Sequence, residues 1–160
     1  MKGKMVLLGV LVLIAVMGVA LTAYGATTDS KNVVVNGRPT PKLVLTVDTA
    51  LVDFGDIDPE TPEAIEPAFN ANVRSNKDYN YYLTAPASFD GTGTPSLTHL
   101  EWSRLAAYAQ FPGVAGNVDP DSGSRTGDAG DDYTYDLRLT FGYDVEAGDH
   151  AATLVPTALQ

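Results

Sequence analysis

Tyr133-Thr134-Tyr135-Asp136-Leu137-Arg138-Leu139-Thr140-Phe141-Gly142-Tyr143 decides the fold class. Every odd position is aromatic or leucine, and the even positions are Thr, Asp, Arg, Thr and Gly. Successive side chains of a strand point to opposite faces, so this order buries one face and wets the other. On a helix the same residues would scatter around the axis. The segment is therefore expected to be a strand with Tyr133 through Tyr143 contributing their odd positions to the core. Val145-Glu146-Ala147-Gly148-Asp149 then turns the chain into a last strand over His150–Val155. Pro156 cannot donate to a ladder, so that strand lies at an edge or ends there.

Working upstream, the period of two recurs. Lys42–Asp48 sets Leu43, Leu45 and Val47 on one face, and Ala50–Phe54 extends or restarts that strand before a turn at Gly55-Asp56-Ile57-Asp58-Pro59. Ala68–Arg74 alternates Phe69, Ala71 and Val73 with Asn70, Asn72 and Arg74. Asp78–Thr84 does the same with Tyr79, Tyr81 and Leu83, and Thr98–Ser103 carries Leu100 and Trp102 inward. Arg104–Phe111, with Leu105, Tyr108 and Phe111 spaced by three, fits a short helix and is left open. Gly113–Asp132 is rich in Gly, Asp and Ser and reads as a long loop. The prolines are spread so that no long helix fits between them. The expected fold is all-β, a single antiparallel β-sandwich of Ig-like or jelly-roll-like type.

The N-terminus differs in kind. Lys2 and Lys4 precede an uncharged apolar run, Met5–Ala23, and Ala23-Tyr24-Gly25 offers small residues for cleavage before Ala26. Residues 1–25 read as a signal peptide behind a hydrophobic helix. The run also reaches transmembrane length, so a retained anchor is the alternative. A type IV pilin helix fits less well, because no glutamate precedes Glu60. The expected division is 1–25 signal, 26–41 extended leader and 42–160 sandwich. The chain is expected outside the cell or on its surface, meeting the membrane only during export.

Without the two signal lysines, eight basic residues face 20 acidic ones. Such a surface repels phosphate backbones, so nucleic acid is not an expected partner, whereas cations are. There is no cysteine, which removes thiol catalysis and thiolate metal sites. No nucleophile motif or phosphate loop ties His99 or His150 to a reaction, and Phe89-Asp90-Gly91-Thr92-Gly93 carries one glycine too many for an aspartic-protease motif. The expectation is not an enzyme. Asp119, Asp121, Asp128, Asp131 and Asp132 gather hard oxygen ligands that would suit calcium. An EF-hand is ruled out, because Gly123 and Ser124 stand at its fifth and sixth positions. A looser calcium site competes with a plain solvated loop. Asp53, Asp56, Asp58 and Glu60 form a second such cluster. Trp102 and the tyrosines alternate inward, as core residues rather than a carbohydrate platform.

Val33-Val34-Val35 is an apolar triplet isolated in a polar leader and followed by the turn-prone Asn36–Pro41. It can complete its own sheet, or pair with the open edge of another copy by donor-strand complementation. Pairing of the second kind does not close and builds filaments.

Three stretches carry a resemblance: Leu51-Val52-Asp53-Phe54-Gly55-Asp56-Ile57-Asp58-Pro59, Leu100-Glu101-Trp102-Ser103, and Asp136-Leu137-Arg138-Leu139 leading to the Ala147-Gly148-Asp149 turn. With its layout, the chain resembles the TasA/camelysin-like and archaeal bundling-pilus subunits, secreted β-sandwich proteins that polymerise by donating an N-terminal strand. The resemblance implies a homopolymer with Val33, Val34 and Val35 at the subunit interface, and no catalytic residues. The alternative is a monomeric cell-surface or matrix module that binds a ligand or cation.

Overall fold

The alternating segment after Asp132 does form a strand. The structure, a computed structural model, describes residues 31, 34–105 and 107–160. The signal segment 1–25, most of the leader before Val34, and Val33 itself lie outside the described residues. The chain divides into two compact units, Met1–Arg38 and Pro39–Gln160. In the first, Val34 and Val35 are exposed, at 79% and 87%.

The second unit is all-β, with no α-helix among the described residues. Its strands are β1 (Leu43–Val47), β2 (Glu63–Ser75), β3 (Tyr79–Ala85), β4 (Asp90–Gly91), β5 (Leu100–Ser103), β6 (Ala109–Gln110), β7 (Gly116–Gly123), β8 (Asp131–Leu139), β9 (His150–Ala151) and β10 (Val155–Leu159). One sheet runs β1-β2-β8-β5-β6, a second β10-β3-β7, and β4-β9 pair separately. All pairings are antiparallel.

The two larger sheets face each other through aromatic rings, which makes the fold a sandwich. From β8, Tyr133, Tyr135, Leu137 and Leu139 are buried. Tyr81 of β3 stacks on Tyr133 with ring centroids 3.8 Å apart, and the Tyr79 and Tyr133 hydroxyls lie within 3.0 Å. Phe69, Ala71 and Val73 of β2 complete the face on the other side of β8.

A clasp at one end holds the second unit's first and last residues to the corner between β2 and β3. Asn76 accepts from the Lys42 N–H at 2.7 Å and donates to the Thr40 carbonyl at 2.7 Å. The Gln160 amide donates to Lys42 O and to the Ser75 hydroxyl oxygen. The chain thus enters and leaves the domain beside Asn76.

Several sequence expectations need correction. The β8 pattern continues to Tyr143, but the strand ends at Leu139: Phe141 is half-buried and Tyr143 is 79% exposed. Past Leu139 neither neighbouring strand continues to pair, so alternation in sequence no longer corresponds to a sheet face. Arg104–Phe111 is not a helix in its described residues. Ala109–Gln110 pairs with β5, Phe111 is buried and Leu105 is 84% exposed. Gly113–Asp132 is not one long loop, because β7 lies within it and pairs with β3. The expected strand His150–Val155 is split into β9 and β10 by Ala152–Leu154. Pro156 lies in β10, an edge strand of its sheet, as the missing N–H requires. Ala50–Phe54 belongs to no strand.

Candidate functional site

The main concavity is a groove of about 780 Å³ in the second unit. Its apolar floor is the inner face of the larger sheet: Phe69, Leu100, Leu137 and Leu139, all otherwise buried core residues. The smaller sheet covers the other end of that face, where Tyr79 and Tyr81 meet Tyr133. It stops at Ala85 and Val155. Beyond that point irregular chain, rather than a paired strand, walls the core.

One wall is the ribbon that continues the smaller sheet. Val155 pairs with Thr84 and Ala151 with Asp90, so Tyr79–Gly91 and His150–Leu159 run antiparallel throughout with an interruption between. Inward alternation does not break at the interruption: His150, Ala152, Leu154 and Pro156 are half-buried while Ala151, Thr153 and Val155 are exposed. Ala152–Leu154 nonetheless join no ladder. Gly91 makes the β4–β9 pair possible. Its φ of +122° is open only to glycine, and a Cβ there would stand 2.1 Å from the Asp149 carbonyl oxygen.

The opposite wall is the strap that follows β1. Val52, Phe54 and Ile57 are half-buried against the core, while Leu51 is 77% exposed. Backbone hydrogen bonds hold its ends, Asp48 N–H to Asn70 O at 3.1 Å and Glu60 N–H to Phe141 O at 2.7 Å. Between them, among the described residues, the strap makes only local bonds, such as Gly55 N–H to the Asp53 carboxylate. The strap is held by side chains at its middle and by backbone only at its ends.

Four of the five acidic residues considered for calcium have other partners. Asp119 and Pro120 sit at a bulge, where Tyr81 pairs with Asp121 but Leu83 with Val118. Asp119 takes a φ of +50° there, and the bulge aims its carboxylate inward. It accepts from the Tyr135 hydroxyl at 2.6 Å and pairs with Arg104 at 2.7 Å. Asp121 pairs with the same guanidinium at 2.9 Å. Asp131 accepts from Tyr79 at 2.6 Å, and Asp132 from Asn70 and Asn72 at 2.9 and 2.8 Å. Asp128 is exposed in the turn before β8. No three of these, nor any group including Asp53, Asp56, Asp58 and Glu60, form a metal-holding cluster among the described residues. Asn70 and Asn72 hold the exposed Asp132 carboxyl below its ordinary range.

Tyr79, Tyr81, Tyr133 and Tyr135 are core, as their alternation indicates, whereas Tyr143 is not. Burial raises all four inward hydroxyls first of all. Tyr81 is pushed up to about 12, and Tyr79 and Tyr135 are raised further by hydrogen bonds to Asp131 and Asp119. Trp102 packs its ring near Phe111 and Tyr135, with centroids 6.4 and 6.1 Å away. The two histidines are apart in role. His99 Nδ1 lies 3.0 Å from Thr140 O, in a shallow polar cleft with Glu60 and Glu101. His150 Nε2 lies 2.8 Å from Glu146 O, with its ring edge-on to Phe141 at the groove wall.

The sequence marked the leader but did not locate the groove. Its signal lies in Ala50–Phe54 and in Ala152–Leu154, both of which read as strand in the sequence: each has strand-like side-chain order and no ladder. No protein family, curated protein or solved structure matches this chain.

Proposed function

We propose that the chain is a structural subunit of an extracellular filament or pilus, assembled by donating the segment around Val33–Val35 of one copy to the sandwich of another. The observation that carries this reading is the groove: core leucines and Phe69 of the larger sheet line an open cavity where a further strand would fit. Val34 and Val35 are exposed and supply an apolar pair for that strand. Burying a valine side chain stabilises by about 1.5–3 kcal/mol, to which ladder hydrogen bonds would add. The resemblance to strand-donating surface proteins and the signal-like segment 1–25 support the same reading. The role is structural rather than catalytic, and the partner is another copy of the chain.

The test uses Pro39–Gln160, which is a compact unit in itself. A synthetic peptide spanning Thr27–Arg38 should raise its melting temperature in a saturable way, by mass action on the folded state. The same peptide with Asp at position 34 or at position 35 shows which valine faces inward, because neighbouring side chains point oppositely. If saturating peptide produces no shift, the leader is not a donor strand and a monomeric surface module becomes the better reading.

A further inference from the structure

Strand donation leaves open which edge of the sandwich receives the strand. Six strands have an unpaired side among the described residues: β1 and β6 in the larger sheet, β7 and β10 in the smaller, and β4 and β9 in their two-stranded pair. We propose that the receiving edge is His150–Pro156, and that the incoming strand lies between this edge and the Thr49–Ile57 strap, supplied by a second copy rather than by the chain's own leader. This inference rests on the strand-donation reading and assigns it a place.

Three observations favour that edge over the far edge of β7. First, its inward side chains, Ala152, Leu154 and Pro156, line the groove, so a strand added there would lie over Phe69, Leu137 and Leu139. A strand added at the far edge of β7 would not lie in this groove, since no β7 residue lines it. Second, Ala152–Leu154 alternates in burial yet joins no ladder, so its backbone groups are open to an incoming partner. Third, the facing strap holds its position through Val52, Phe54 and Ile57 without a ladder, so admitting a strand breaks no sheet pairing.

Charge identifies the occupant as a leader segment, and the strand-donation reading on which this inference rests takes it from a second copy. The groove rim carries Asp53, Asp56, Glu146 and Asp149. The leader carries Lys31 and Arg38 against the single acid Asp29, a complementary balance.

The natural absence of cysteine makes the test direct. Full-length chains carrying Thr153→Cys, whose side chain is exposed beside the groove, are mixed with chains carrying one cysteine at each position from Asn32 to Asn36. Chains with Ser122→Cys, exposed on β7, serve as the rival edge. Mixing separate variants means that a mixed disulfide can only join two copies. The expected result is cross-linking of Thr153→Cys to alternate leader positions, with little to Ser122→Cys. Preferential cross-linking to Ser122→Cys would overturn the edge while leaving strand donation intact. Equal cross-linking at every leader position would overturn a paired strand at this edge. Filaments that form with no cross-link to either site would defeat donation by the leader, and this inference with it. Chains that stay monomeric at all concentrations would do the same.

Discussion

Asp119 shows how a residue's chemistry can be legible while its partner is not. An aspartate among other acids in a Gly- and Ser-rich stretch suggests cation binding, and Asp119 does hold a cation, the guanidinium of Arg104. The two are only 15 residues apart, but β5, β6 and the β7 bulge bring them together, and no local spacing encodes that. Arg104→Met would leave Asp119, with 12% of its side chain exposed, hydrogen-bonded to Tyr135 alone. Loss of one partner from a largely buried pair should cost about 2–3 kcal/mol, read by chemical denaturation. Millimolar calcium should leave the melting temperature unchanged, because Asp119 and Asp121 are engaged with Arg104 and Asp131 and Asp132 with neutral donors. A calcium-specific rise would show that these carboxylates rearrange around the ion. The tyrosines set the alkaline limit. Tyr81 is raised from 10.0 to about 12 by burial, so between those values the folded state binds the proton more tightly than the unfolded chain. Stability is full below pH 10 and falls as pH rises towards 12. Tyrosinate absorbance from the inward rings should therefore appear together with loss of near-ultraviolet circular dichroism. Ionisation of those rings in a chain that stays fully folded at pH 11 would contradict their burial.

Elements were legible where one face is apolar and the other polar. β2, β3 and β8 show this, and Phe69, Ala71, Val73, Tyr79, Tyr81, Leu83, Tyr133 and Tyr135 are all buried as their order indicates. β7 was not legible for a physical reason. Gly116-Asn117-Val118-Asp119-Pro120-Asp121-Ser122-Gly123 is an edge strand held by backbone bonds to β3 and by Arg104, with Val118 its one large apolar contribution to the core. Composition cannot separate such a strand from a loop. β7 also depends on Gly123, where a Cβ would come within 2.2 Å of the buried Tyr79 ring. Gly123→Ala should displace Tyr79 from Asp131 and Tyr133 and cost about 1–3 kcal/mol, measured by urea unfolding. Gly91→Ala should act elsewhere, parting β4 from β9 and loosening the groove wall. Hydrogen exchange should then quicken at Asp90–Gly91 and His150–Ala151 while the β2–β8 ladder stays protected. Uniform loss of protection would mean that the ribbon is not a separable element.

At the scale of the molecule, the sandwich class follows from the recurring period of two, but the groove does not. It arises where the smaller sheet stops short of the larger, a relation between strand lengths that no single segment carries. The leader's exposed valines and the groove's apolar lining are two apolar surfaces in a chain with twice as many acidic as basic residues, and on the strand-donation reading each covers the other. The most direct test compares wild type with Val34→Asp and Val35→Asp by sedimentation velocity across a concentration series, with electron microscopy of the same samples. Both valines are exposed in the single chain, so neither charge should change its unfolding by more than about 0.5 kcal/mol. Neighbouring residues of a strand face opposite ways, so one of the two charges must enter the groove, where burying it unpaired costs several kcal/mol. The account predicts concentration-dependent filaments for wild type and monomers for at least one variant with an unchanged melting temperature; filaments from both variants as readily as from wild type would contradict it.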